Sequence, residues 1–357
     1  MKAKKQAAGI VLLIFLIVVT LFFYLRGYSF KELSDALKNA DFFYFLTGMI
    51  MMLVFIICET INNQMIAKVL GYSISFQRSF EYSCVGFYFN SITPASSGGE
   101  PAQIYYMNKD KIPVTISSII IFFTVFVYQI AMILLGCVMA LLRGSITVWF
   151  VSRLKLLFIF GIIANTGVII VLLALMYSKR LVPTFLSLII KIAYKLPFCK
   201  HPEKLKIKME KSIITYHEKS GVLMRHPVLF LKVLFVTMIQ MIAFNIVPAL
   251  VYMGMGNQPK AGSILDLLTS QSLLTISVSA FPLPGSEGVS QSGFLQVFQY
   301  FFDQESIIPA MLIQRTIGFY LPLLFSFLVY IFMQVRMIRG ANRGVSSDGK
   351  QDKSSGC

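Results

Sequence analysis

Two short stretches carry a carboxylate within backbone that cannot continue a helix: Pro94-Ala-Ser-Ser-Gly-Gly-Glu-Pro101 and Phe281-Pro-Leu-Pro-Gly-Ser-Glu-Gly288. Proline brings no N–H and glycine gains entropy by unwinding, so each stretch interrupts the apolar runs around it. In hydrocarbon such backbone persists only where protein buries it or where it lines a wet cavity. Glu100 and Glu287 therefore need a cation, a proton or water. Ser96, Ser97, Gly98 and Gly99 directly precede Glu100. Small residues with hydroxyls and free N–H groups, opening a half-helix, make a nest for an anionic head group. Glu100 reads equally as a cap on that half-helix or as a group at a wet edge. Pro284, Gly285, Ser286 and Gly288 repeat the pattern around Glu287, with Gln291 one turn on. Two glutamate-bearing breaks in matching positions of two halves point to a transporter binding site.

Arg315 is the third chemical element. It lies eight residues into the apolar run 307–333, on the order of 12 Å deep at 1.5 Å per residue. A guanidinium there must face the bundle interior and find an anion. It can bind a lipid phosphate bidentately, or hold the bundle together through an ion pair with Glu100 or Glu287; the two readings are compatible. Glu59, Asn62 and Asn63 share one helix face and serve as ligand contacts or interhelical hydrogen bonds. Gln129 and Asn245 read as helix–helix glue. His201, His217 and His226 have no zinc-site spacing. No G-x-S-x-G, P-loop or Rossmann pattern stands in a suitable context. No catalytic residue, metal or cofactor is expected, and the five scattered cysteines form no disulfide framework.

The elements that must position these groups are membrane spans. Of 357 residues, 56% are hydrophobic and 13% charged, and several runs reach the length needed to cross a bilayer. The net charge of +16 sits mainly in loops and tails, as cytoplasmic flanks of spans require. With no soluble module to present a basic face, a nucleic-acid partner is excluded. Spans are expected at 8–25, 42–61, 116–142, 156–177, 229–253 and 307–333. Broken hairpins are expected at 80–107 and 266–302. The expected fold is an all-α polytopic membrane protein built as an inverted repeat, about six full spans plus two hairpins, in one domain over 1–338. Repeat one covers about 42–142 and repeat two about 228–335. The basic segment 179–225 and both termini belong on the cytoplasmic side. Within it, 181–196 suits an interfacial helix. The polar tail 339–357 is expected to lack structure.

The same residues resemble a known family. Thr93-Pro-Ala-Ser-Ser-Gly-Gly-Glu-Pro-Ala-Gln-Ile-Tyr-Tyr-Met107 resembles the first signature of the flippase-like transmembrane domain of lysylphosphatidylglycerol synthases (multiple peptide resistance factor). Pro284-Gly-Ser-Glu-Gly-Val-Ser-Gln291 resembles the later Pro-Gly-x-x-Gly-Val-x-Glu signature. Gln314-Arg315 with Tyr320-Leu-Pro322 resembles the arginine-bearing span after it. The resemblance runs over about 8–338. Two departures stand out: Gln291 occupies the place of the family's second acid, and Glu287 is an extra acid four positions earlier. The soluble synthase domain of bifunctional members is not in this sequence. The resemblance therefore implies a lipid flippase or lipid transporter of the bacterial cytoplasmic membrane, without enzyme activity. Its substrate would be aminoacylated phosphatidylglycerol or another anionic phospholipid or polyprenyl-linked lipid. The rival readings are a lipid aminoacyl or glycosyl transferase, and a non-catalytic anchor for a separate synthase. A homo-oligomer is left open.

Overall fold

Hydrocarbon forces long Ile-, Leu- and Phe-rich runs to satisfy their backbone internally, and helix is the local way to do so. The computed structural model describes residues 41–177, 215–216, 218–223, 225–256 and 263–351, and among these no β-strand occurs. Five helices there are long and apolar enough to cross a membrane. The expected span at 8–25, nearly all of the basic segment 179–225, and His201 and His217 lie outside the described residues.

Helix α1 (Phe42–Val69) is opened by Asp41, whose carboxylate accepts from the Phe43 N–H at 2.9 Å. The first hairpin is α2 (Phe76–Ile92), a tight 3₁₀ turn at Pro94–Ser96, and α3 (Gly99–Lys109). Then come α4 (Val114–Leu142) and α5 (Gly144–Tyr177). The second half has α6 (Pro227–Asn245) and α7 (Val247–Gly254), parted at Ile246 just before Pro248, whose ring cannot donate to the ladder. The second hairpin is α8 (Ser263–Val278), a 3₁₀ turn at Pro284–Ser286, and α9 (Val289–Phe298). The last span is α10 (Ile307–Arg315), a π turn at Thr316–Tyr320, and α11 (Leu321–Gln351).

Contacts between termini fix the direction of each element. The Asp41 N–H donates to the Gly254 carbonyl at 2.7 Å. Arg143 pairs with Asp266 at 2.9 Å, and Tyr252 meets Phe302 with ring centroids 5.2 Å apart. These groups, with Asp303 and Glu305 nearby in the chain, mark one end of the bundle, the acidic end. At the other, basic end, Arg336 reaches Glu81 at 2.5 Å and Arg78 reaches Asp110 at 3.6 Å. The first hairpin thus enters and leaves at the basic end, and the second at the acidic end. That is the expected inverted repeat.

Both hairpin turns share one backbone. Thr93 (φ −116, ψ 147) matches Leu283 (φ −119, ψ 146), and Ala95 (φ 51, ψ 30) matches Gly285 (φ 57, ψ 18). Ser96 and Ser286 follow at φ 49 and 51. The two turns pack against each other at the centre of the bundle. Close approach of the second hairpin to α5 needs Gly161, where a Cβ would stand 2.3 Å from the Ile276 carbonyl oxygen.

Three boundaries differ from the sequence reading. The loop expected before 156 is a single residue, because α5 already starts at Gly144 and bends at Leu154 (φ −126, ψ 30). Residues 144–153 have packing to hold them: the Trp149 indole donates to the Val297 carbonyl at 3.1 Å and Arg153 stacks over its ring. Helix α11 runs on in the backbone to Gln351, past Gly340 where an unstructured tail was expected. A helix already formed across the membrane propagates at one hydrogen bond per residue, and no proline stops it. The expected single spans at 229–253 and 307–333 are interrupted, at Ile246 and at the π turn.

Candidate functional site

A cavity of about 640 Å³ lies where the two hairpin turns meet. Ser96, Ser97 and Glu100 line it from the first hairpin, and Gly285, Ser286 and Gln291 from the second. Glu59 on α1, Gln129 on α4 and Arg315 at the end of α10 complete the expected set on its wall. Gly98, Gly99, Pro284, Glu287, Gly288, Asn62 and Asn63 are not on the wall; they build the structure behind it.

The nest expected for an anion is already occupied. Gly98 donates its N–H to Thr93 Oγ1 at 2.9 Å, and Gly99 donates to Asn90 Oδ1 at 2.7 Å. The polar side chains of the chain's own α2 satisfy the half-helix start, so these N–H groups are not free to receive a ligand. Glu100, in the first turn of α3, is favourably placed for the helix dipole. It accepts a 3.3 Å hydrogen bond from Asn90 Nδ2.

Of the two readings of Arg315, the ion pair is what the geometry contains, and its partner is Glu287. Arg315 donates to Glu287 Oε2 from Nε at 3.1 Å and from Nη2 at 2.5 Å, and Nη2 also donates to the Gly285 carbonyl at 2.5 Å. The guanidinium lies 4.0 Å from the centre of the Phe319 ring. Glu287 Oε1 accepts from the Tyr320 hydroxyl at 2.8 Å and from Gln291 Nε2. Gln291 Oε1 accepts in turn from the Gly288 N–H at 2.7 Å and from Ser290. The Glu287 side chain is 0% exposed and that of Arg315 12%. Glu287 is thus a fully satisfied strut between the second turn and the last span.

This leaves the cavity wall with an unbalanced charge. Glu59 accepts one hydrogen bond, from Gln103 Nε2 at 3.0 Å. Among the described residues no cation lies within ion-pair distance of Glu59 or Glu100. Two further acceptors on the wall, Gln129 Oε1 and Gln271 Oε1, are buried without a donor. The wall therefore offers two carboxylates and two unpaired amide oxygens, a set that suits a cationic, donor-rich group.

Behind it, Asn62 donates to Thr237 at 2.9 Å, and Asn63 accepts from Thr124 at 3.0 Å while donating to Gln103 at 3.4 Å. Asn245 accepts from Thr275 at 2.7 Å, as helix–helix glue. The sequence reading did not single out Asn90, Gln103, Asn165 or Gln271 as wall residues. A signal was available in α8, where Gln271, Thr275 and Ser279 recur every fourth residue and so share one face of an apolar helix.

Comparison with known proteins adds the following. The family model described as "Lysylphosphatidylglycerol synthase TM region" matches residues 6–326. The chain is 27% identical over 95 residues to a UPF0104 membrane protein of Archaeoglobus fulgidus, covering 26% of this chain and 29% of that one. It is 29% identical over 142 residues to a UPF0104 membrane protein of Methanocaldococcus jannaschii, covering 36% of this chain and 41% of that one. The chain thus spans less than half the length of either relative it matches.

Proposed function

We propose, for a chain that belongs to the family of lysylphosphatidylglycerol synthase transmembrane regions, that it moves an amine-bearing phospholipid between the leaflets of a cytoplasmic membrane. The family and its multi-pass membrane relatives support a lipid-related membrane function. The observation that carries the finer reading is the charge balance of the central cavity. Arg315 is neutralised by Glu287, so Glu59 and Glu100 face the cavity uncompensated. An unpaired carboxylate in hydrocarbon is costly, and an ammonium is one group that can neutralise it. This favours an aminoacylated phosphatidylglycerol over a polyprenyl phosphate, whose head group brings only negative charge.

The volume, about 640 Å³, falls in the range of small-ligand sites. It fits a head group, with the acyl chains left in the bilayer. Among the described residues the wall carries serines and carboxylates but no histidine or cysteine. We read the chain as a transporter and not as an enzyme. The basic end, with Lys68, Arg78, Lys109, Lys111 and Arg336, is the cytoplasmic one.

The test is leaflet exchange of a fluorescent lysylphosphatidylglycerol, with phosphatidylglycerol as control, in liposomes holding the purified chain. The wild type should exchange the lysyl lipid faster than the control lipid. Glu59→Gln and Glu100→Gln should each slow the lysyl lipid about tenfold, the equivalent of roughly 1.4 kcal/mol in binding, and erase the preference. No acceleration of either lipid would sink the reading. So would lysyl lipid newly appearing in a host that makes none, since that is synthesis.

A further inference from the structure

We propose that two ion pairs, Glu81–Arg336 at the basic end and Asp266–Arg143 at the acidic end, are the alternating gates of the central cavity. The proposal rests on the transport reading of that cavity. Each pair joins the same kinds of element. At the basic end, an acid in the second turn of the entering hairpin helix α2 meets an arginine of the full span α11, at 2.5 Å. At the acidic end, an acid in the first turn of the entering hairpin helix α8 meets the arginine that ends the full span α4, at 2.9 Å. In both cases the hairpin belongs to one repeat and the span to the other. Each bond therefore closes the seam that must part if one repeat rocks against the other.

An aromatic layer lies along the seam at the basic end. Tyr88 of α2 stacks on Tyr330 of α11 with centroids 5.3 Å apart, and Phe89 meets Tyr330 edge-on. Gln334 of α11 also donates to the Tyr106 hydroxyl of α3. Both pairs are formed in this structure.

The chain also carries the joints that such motion needs. In repeat one, α1 and α4 are uninterrupted helices. In repeat two the corresponding spans are broken, at Ile246 and at the π turn Thr316–Tyr320. Breaks of this kind are where helices bend. The π turn separates Arg315 at the cavity from Arg336 at the gate, so the lower part of the last span can swing while its upper part stays tied to Glu287. Repeat one is then the fixed frame and repeat two the moving part. The arginines of both pairs are partly exposed, 33% for Arg336 and 29% for Arg143, as is Asp266, whereas Glu81 is buried. The acidic-end pair is of the weak, exposed kind; at the basic end Arg78, 3.2 Å from Glu81, stays with the buried carboxylate when Arg336 leaves.

The experiment reads access, not transport. A Ser290→Cys reporter on the cavity wall is placed in the full chain with Cys58, Cys84, Cys137, Cys199 and Cys357 changed to serine. It is labelled with a membrane-impermeant maleimide from either side of oriented vesicles. Glu81→Gln should raise labelling from the basic end at least tenfold and lower it from the acidic end. Asp266→Asn should do the reverse. Arg336→Gln, which leaves the Arg78–Glu81 pair within α2 in place, should give the same shift as Glu81→Gln, which separates gating from misfolding. Unchanged labelling in both carboxylate variants would overturn the proposal, as would a rise from both ends in either one. A chain whose access alternates but moves no lipid keeps the gates and refutes the transport reading. A chain that moves lipid with access unchanged does the opposite.

Discussion

Replacing Arg315 with alanine removes two donors from a carboxylate that has no exposed surface. Glu287 keeps the Tyr320 hydroxyl and the Gln291 amide, but loses the only positive charge on it among the described residues. Breaking a buried pair by deleting one partner costs roughly 3–5 kcal/mol, because the other charge stays buried. Two retained neutral hydrogen bonds, each worth about 1 kcal/mol, place the expected loss near the lower bound, about 3 kcal/mol. Changing Glu287 to glutamine in the same chain removes the orphaned charge. The double variant should then lie within about 1 kcal/mol of wild type, recovering about 2 kcal/mol of the single variant's loss. Arg315→Lys keeps the charge but cannot span Glu287 and the Gly285 carbonyl with one planar fork, so it should fall between. Reversible unfolding by SDS titration in mixed micelles measures all four proteins. An Arg315→Ala chain within about 0.5 kcal/mol of wild type would refute the strut.

Four further predictions follow from the backbone and the charge pattern. Gly285→Ala should destabilise the protein by about 2–5 kcal/mol, since its left-handed backbone (φ 57) and a Cβ 2.3 Å from Phe319 both oppose a side chain. Ala95→Gly, at the matching place in the first turn, should leave stability unchanged or raise it by up to about 1 kcal/mol, because glycine relieves the strain at φ 51; thermal melting in detergent checks both. Gly161→Ala should cost about 1–3 kcal/mol by pushing α5 off the α8 backbone, and the Asn165 bond to the Ile276 carbonyl, 3.0 Å, should loosen with it, read as faster amide exchange in α8. Single cysteines at Lys109 and at Asp303 should label from the cytoplasmic and the outer side respectively; the reverse pattern in intact cells would invert the assigned orientation.

The two hairpins are legible in the sequence because Pro94, Gly98, Gly99 and Pro284, Gly285, Gly288 cannot be threaded through a continuous helix. Burial and membrane spans are equally legible from apolar runs. What spacing leaves open is direction. Counting along the chain suggests that Glu100 and Glu287 correspond, since each closes a Pro/Gly break. The dihedral match instead aligns Pro94 with Pro284, which puts Glu287 opposite Ser97 and Glu100 opposite Ser290. Two glutamates of similar context therefore take different roles: one turns inward to Arg315, and the other faces the cavity. A nest reading of Gly98 and Gly99 likewise fails on a partner from another helix, Asn90, nine residues earlier than Gly99. Tertiary hydrogen bonds of this kind leave no local signature.

The shared turn bears on how such a chain arises. Ala95 and Ser96 occupy the left-handed region where Gly285 and Ser286 do, a conformation that an L-residue adopts only under strain. The same unfavourable backbone at the same place in both halves points to descent from a half-length ancestor. Copies of that ancestor, inserted in opposite orientations, would have met tip to tip and formed a cavity with identical walls. Fusion of the two copies let the walls diverge. The second half carries Glu287 and Arg315 as a brace, and the first carries Glu59 and Glu100 on the cavity wall. A two-fold symmetric cavity would present the same groups on both sides; this asymmetric one sets Glu59 and Glu100 on one side and a neutralised ion pair on the other.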